Sequence, residues 1–132
     1  MFYPKLYVVF YRPRYGNYQH WALYVDEESN GTIFEVTGQH PSFQRNVVHA
    51  RPDSSKSYLD KLYIGTLSPD DLKHVAKAAE ETGVDNDTLE WDCQDYVLEM
   101  LDKLEEEFIL ESDDEDYRVA REKLKGRRGA ML

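Results

Sequence analysis

YQHWALYV, residues 18–25, alternates as an extended strand does. Successive side chains of a strand point to opposite faces, so Trp21, Leu23 and Val25 share one side and His20, Ala22 and Tyr24 the other. The six residues that follow, DEESNG from Asp26 to Gly31, have the composition of a hairpin connection, and Thr32–Val36 reads as the return strand. If Val25 pairs with Thr32, paired positions sum to a constant, which sets Ala22 opposite Glu35 and His20 opposite Thr37. His20 and Glu35 are then diagonal neighbours on one face, about 7–8 Å apart at the backbone and within side-chain reach. A slip of one residue would turn Glu35 to the opposite face and dissolve the pair.

Outward from this hairpin, Leu6–Tyr11 is a continuous run rich in valine and aromatics, the pattern of a strand buried on both faces, and Pro13 and Gly16 break it. After Gly38 and Pro41 come a short candidate strand around Arg45–His49, a polar loop RPDSSKS, and a further strand at Lys61–Leu67, KLYIGTL. Ser68 as N-cap, Pro69 at the first helical position and Asp71 three residues after the cap announce a helix. Its buried stripe is Leu72, Val75, Ala76 and Ala79, Gly83 ends it, and His74 lies on its lysine-bearing outer side.

A second helix is carried by WDCQDYVLEM, residues 91–100. Cys93, Val97, Leu101, Leu104 and Phe108 recur at helical spacing, so the cysteine heads the core-facing stripe. Two starts compete: Asp92 as cap with Asp95 three residues on, or Asp87 with Glu90. Only the later start leaves the thiol in the first turn, where unpaired amides and the helix dipole favour a thiolate.

With 132 residues the chain fits one domain with a core of its own. We take 1–111 as that domain and 112–132 as a charged C-terminal helix or tail, in which an acidic run gives way to Arg118, Arg121, Lys123, Lys125, Arg127 and Arg128. The formal net charge of -10 opposes nucleic acid and anionic lipid as partners. The one cysteine cannot form an internal bridge, which favours a reducing, cytoplasmic setting. No stretch approaches the roughly 20 apolar residues of a membrane span, and the first residues read as a strand and not as a signal peptide. The four histidines, His20, His40, His49 and His74, and Cys93 match no compact metal-ligand spacing, so neither metal nor cofactor is expected.

A lone cysteine on an apolar helix face is by default a small buried hydrophobe. The combination is more specific: a thiol at a helix start, a histidine at a strand start, and a carboxylate on the histidine's face are the parts of an activated nucleophile. At these residues the chain resembles a known group. YQHWALYV is similar to the motif around the first catalytic histidine of the lecithin:retinol acyltransferase and H-Ras-like suppressor acyltransferases, in the circularly permuted branch of the NlpC-type, papain-like superfamily. WDCQDYVLEM resembles the second motif of that group, which reads asparagine, cysteine, glutamate, histidine, phenylalanine in its acyltransferases. The resemblance implies an α+β, papain-like fold with an antiparallel sheet packed against the helix that carries the cysteine. It also implies Cys93 as nucleophile, His20 as general base, and Glu35 on the following strand where the acyltransferases commonly have histidine, with His40 as the other candidate for orienting His20. Asp92, beside the thiol, departs from the pattern and opposes thiolate formation unless it is occupied capping amides.

The implied chemistry is a thioester-forming hydrolysis or acyl transfer on a peptide, amide, isopeptide or ester: an amidase or thiol protease, or an acyltransferase. The amide of Cys93, the Tyr18 hydroxyl and the Gln19 amide are the candidate oxyanion or substrate-binding groups. The end of the chain, GRRGAML, is unlike the hydrophobic tail of the resembling acyltransferases, so no stable membrane anchor is expected. A non-catalytic binding module on the same scaffold is the alternative, favoured if Cys93 is fully buried or if His20 and Glu35 diverge.

Overall fold

A computed structural model describes residues 3–14, 16–28 and 30–129. Ser29 of the expected hairpin loop and the residues at both ends, including the last three of GRRGAML, lie outside the described residues. The described residues form an α+β fold, a five-stranded antiparallel sheet with three α-helices. The strands are β1 (Lys5–Tyr11), β2 (His20–Asp26), β3 (Gly31–Thr37), β4 (Gln44–Val48) and β5 (Tyr58–Thr66), in the order β4-β3-β2-β1-β5. The β2–β3 register is the expected one, Val25 opposite Thr32 and Leu23 opposite Phe34. Gly31 is required in this hairpin because a Cβ there would overlap the Tyr24 ring laid across it. Gly38, with φ +90, makes the turn after β3, where the Ser42 carbonyl leaves no room for a side chain.

The alternation of β2 divides two apolar layers. Trp21, Leu23 and Val25 join Leu6, Val8, Phe10, Phe34 and Val36 against the helices, while Ala22, Tyr24, Val9, Tyr11 and Ile33 form a smaller cluster on the other face, flanked by Tyr7 and Tyr58. Of the ten tyrosines, several are thus sheet and core packing. Helix α1 (Leu72–Glu81) follows a 3-10 turn at Pro69–Asp71 whose capping box joins Ser68 and Asp71, and it buries Val75, Ala78 and Ala79. It stops at Glu81, before Gly83, with the Thr82 hydroxyl donating to the Ala78 carbonyl at 2.7 Å.

Helix α2 (Cys93–Glu106) starts at the later of the two sequence signals. Asp92 caps it, accepting from the amides of Gln94 and Asp95, and the Asp95 side chain returns the bond. Its buried stripe includes Cys93, Val97, Leu101 and Leu104, but Phe108 does not join it, being 84% exposed. The helix has ended by then: Phe108 adopts φ 61, its amide bonds the Glu105 carbonyl and the Ile109 amide bonds Leu104, a Schellman closure with phenylalanine where glycine is usual. Leu110, not Phe108, enters the core. The charged segment is helix α3 (Glu115–Arg127), and Tyr117, Ala120 and Leu124 seat it in the same core. Among the described residues no helix is long and apolar enough to cross a membrane.

Candidate active site

His20 is the first residue of β2 and Glu35 lies on β3; both are 5% exposed. The imidazole Nε2 and the Glu35 Oε1 are 2.5 Å apart, so the diagonal pair expected from the register is formed. Burial alone would raise the Glu35 carboxyl. Hydrogen bonds from His20 and from Asn46, whose Nδ2 donates to Oε2 at 2.8 Å, and the charge of Arg14 hold it below the usual range. Burial lowers His20, outweighing the upward pull of its bond to Glu35, so the ring is neutral at pH 7. His40 makes no bond to His20; among the described residues its buried Nδ1 has no hydrogen-bond partner. Glu35 is therefore the group that holds the ring, through Nε2. Among the described residues no hydrogen bond engages the ring's other nitrogen, Nδ1.

Cys93 stands at the first position of α2, 3% exposed. Its Sγ lies 3.9 Å from the Gln19 carbonyl, to which the thiol donates, and the Trp21 amide is directed at the sulfur. The thiol thus rests on the main chain on either side of His20. Thiol and imidazole rise from different sides of the sheet: Cys93 belongs to the helix-covered core, whereas the His20 ring packs on Tyr11 of the opposite layer at 5.4 Å between centroids. What links them is the backbone of residues 19–21 at the start of β2, and among the described residues no hydrogen bond joins the thiol to the ring.

The thiolate expected of a first-turn cysteine is overturned. Burial pushes the Cys93 thiol up to about 12, the Asp92 charge adds to this, and the backbone amides of Trp21 and Cys93 only partly oppose it. Desolvation of a thiolate outweighs the dipole of one helix end. Capping occupies Asp92 as anticipated without cancelling its charge. Burial thus favours the neutral form of both thiol and imidazole, so a nucleophilic sulfur here needs a base to take its proton.

Tyr18 packs against the core beside the sulfur; burial first, then the charges of Cys93 and Asp92, push its hydroxyl up to about 12, so it remains a donor. The Gln19 carbonyl accepts from Cys93 and from the Gln94 Nε2 at 3.0 Å, and its side-chain oxygen accepts from Arg127 at 3.1 Å.

Three residues of the site escaped sequence reasoning. Asn46 pairs with Glu35 across β3–β4, and extending the register sum to that hairpin would have found it. Arg14, 3.6 Å from Glu35 and 5.0 Å over the Tyr11 ring, follows β1 in a loop with no local pattern. Gln94, fully buried, is covered by the far C-terminal segment, for which neighbouring residues carry no signal. No group of three or more acidic, histidine or cysteine side chains among the described residues could hold a metal ion.

Residues 6–111 match the model of DUF6540, a family of unknown function, and the chain belongs to that family. No curated protein and no solved structure matches it.

Proposed function

We propose that this member of the DUF6540 family is a cysteine-dependent hydrolase or acyltransferase on a permuted NlpC-type, papain-like scaffold. One observation carries the reading: the Cys93 thiol, in the first turn of α2, is held against the backbone flanking His20, whose Nε2 is tied to Glu35 and whose Nδ1 has no hydrogen-bond partner among the described residues. The base and its orienting group are in contact as such a site requires, and the thiol is one backbone step from the base, so catalysis on this reading needs the imidazole and sulfur to meet when substrate binds.

In this mechanism the sulfur attacks the carbonyl carbon of an amide, isopeptide or ester while His20 Nδ1 takes the thiol proton. Glu35 steadies the imidazolium as it forms, and the tetrahedral oxygen is met by the Cys93 amide and the Tyr18 hydroxyl. Collapse breaks the bond to the leaving amine or alcohol, which receives the proton from His20, and leaves a thioester on Cys93. Water or an acceptor amine or alcohol then gives its proton to His20, attacks the thioester and releases the acyl group, restoring the thiol.

A second reading, a binding module without turnover, draws support from the burial of Cys93 and its raised pKa. Alkylation by iodoacetamide between pH 7 and 9 separates the two. With His20 as base, already deprotonated in this range, the native rate stays nearly flat, whereas His20→Ala climbs about tenfold per pH unit, as thiolate fraction does below the thiol pKa. The same steep climb in both proteins would leave the binding module standing and remove His20 from the chemistry.

A further inference from the structure

The C-terminal end of α3 closes over the start of α2. Arg127 donates from Nε to the Gln19 side chain at 3.1 Å and from its other two nitrogens to Asp60 of β5 at 3.1 and 2.7 Å, with its guanidinium 3.6 Å above the Phe10 ring. Arg128 donates to Gln94 Oε1 at 3.2 Å and to Asp95, and stands 3.9 Å from Asp92. The Gly129 amide donates to the same Gln94 oxygen at 2.9 Å. Three consecutive residues thus bind the loop before β2, the edge strand β5 and the first turn of α2; the first and last of these carry the Gln19 carbonyl that accepts from the thiol and the thiol itself. Gln94, which they hold, is 0% exposed, and Cys93, which shares the Gln19 carbonyl with the Gln94 side chain, is 3% exposed.

We propose that Arg127–Gly129 is a strap that keeps Cys93 closed to reactants, and that its release opens the site. The strap's role as a regulator rests on the catalytic reading above; its role as a cover does not. Its grip is made of contacts that can let go. Both arginine side chains are about a third exposed, at 34% and 35%, and Asp60 is 54% exposed, so the ion pairs are partly screened by water and salt. Helix α3 itself stays pinned by the buried Tyr117, Ala120 and Leu124, so the strap has a fixed hinge and lifts without loss of the core. It lies beyond residue 111, outside the span that matches the family.

The test is the rate at which iodoacetamide modifies the one cysteine of the 132-residue chain, in the native sequence, in R127A/R128A and in D60N. The double variant should react at least about tenfold faster than native, the size expected when several charge-assisted bonds that must break for opening are removed. Asp60→Asn should give a smaller rise. Raising the salt should speed the native protein towards the double variant and leave the double variant unchanged. A folded double variant, by its cooperative thermal melt, that reacts at the native rate overturns the strap. If the double variant does not melt cooperatively, Asp60→Asn decides: a native rate in that variant overturns the strap equally. Repeating the pH series with His20→Ala on the strap-released background reads the catalytic proposal separately, since a fast but His20-independent thiol keeps the cover and removes the enzyme.

Discussion

At the scale of single residues, the site is governed by burial competing with partners. His20 is pushed below its ordinary 6.5 because desolvating the imidazolium outweighs its bond to Glu35. The unfolded chain then holds that proton more tightly than the folded one, so stability declines as pH falls below about 6.5 towards the folded value. Glu35, held below 4.5, adds a loss at lower pH: the stability it contributes is present above the unfolded value and drains as pH drops through the folded one. The thermal midpoint should therefore fall between pH 7 and 5, and His20→Gln should flatten that slope. A native midpoint constant over this window, or a slope unchanged in the variant, would contradict the balance described. The His20–Glu35 pair was legible in the sequence because it depends only on strand parity and hairpin register. The thiol's high pKa was not, since it comes from atoms packed around Cys93 from distant segments.

Helix ends decide the next level. Asp92 both caps α2 and raises the pKa of the thiol beside it. Asparagine caps about as well as aspartate and carries no charge, so Asp92→Asn should preserve the melting temperature within a few degrees while speeding alkylation of Cys93 at neutral pH; slower alkylation would refute the electrostatic role. At the other end, Phe108 occupies a left-handed conformation while exposing its ring. A left-handed L-residue costs roughly 1–2 kcal/mol that glycine avoids, and little buried surface is lost with the ring, which is 84% exposed. Phe108→Gly should stabilise the protein by about 1 kcal/mol in urea unfolding. The helical period that placed Cys93, Val97, Leu101 and Leu104 also nominated Phe108, because periodicity has no means of marking where the backbone turns out of the helix.

Across the whole molecule, the charged C-terminal segment is part of the core's closure. Leu124 is fully buried in the layer that also holds Cys93. Leu124→Ala should cost about 2–5 kcal/mol, as for a core leucine, and unfold the protein in one transition. A cost under about 0.5 kcal/mol would make α3 an appendage. The sequence by itself determined the order of the strands and of the first two helices, the β2–β3 register, the His20–Glu35 pairing and the cysteine's place on the core stripe of α2, because each follows from contacts local in the chain or from periods of two and of three to four residues; which of the two capping signals starts α2, and that the charged end is a helix, were settled by the fold. Only the tertiary structure decided that Asn46, Arg14 and Gln94 stand at the site, that burial pushes the thiol's pKa up, and that Arg127–Gly129 ties Gln19, Asp60 and the first turn of α2 together. Those outcomes depend on which distant surfaces meet and exclude water, and desolvation is a property of the packed whole that no stretch of residues carries alone.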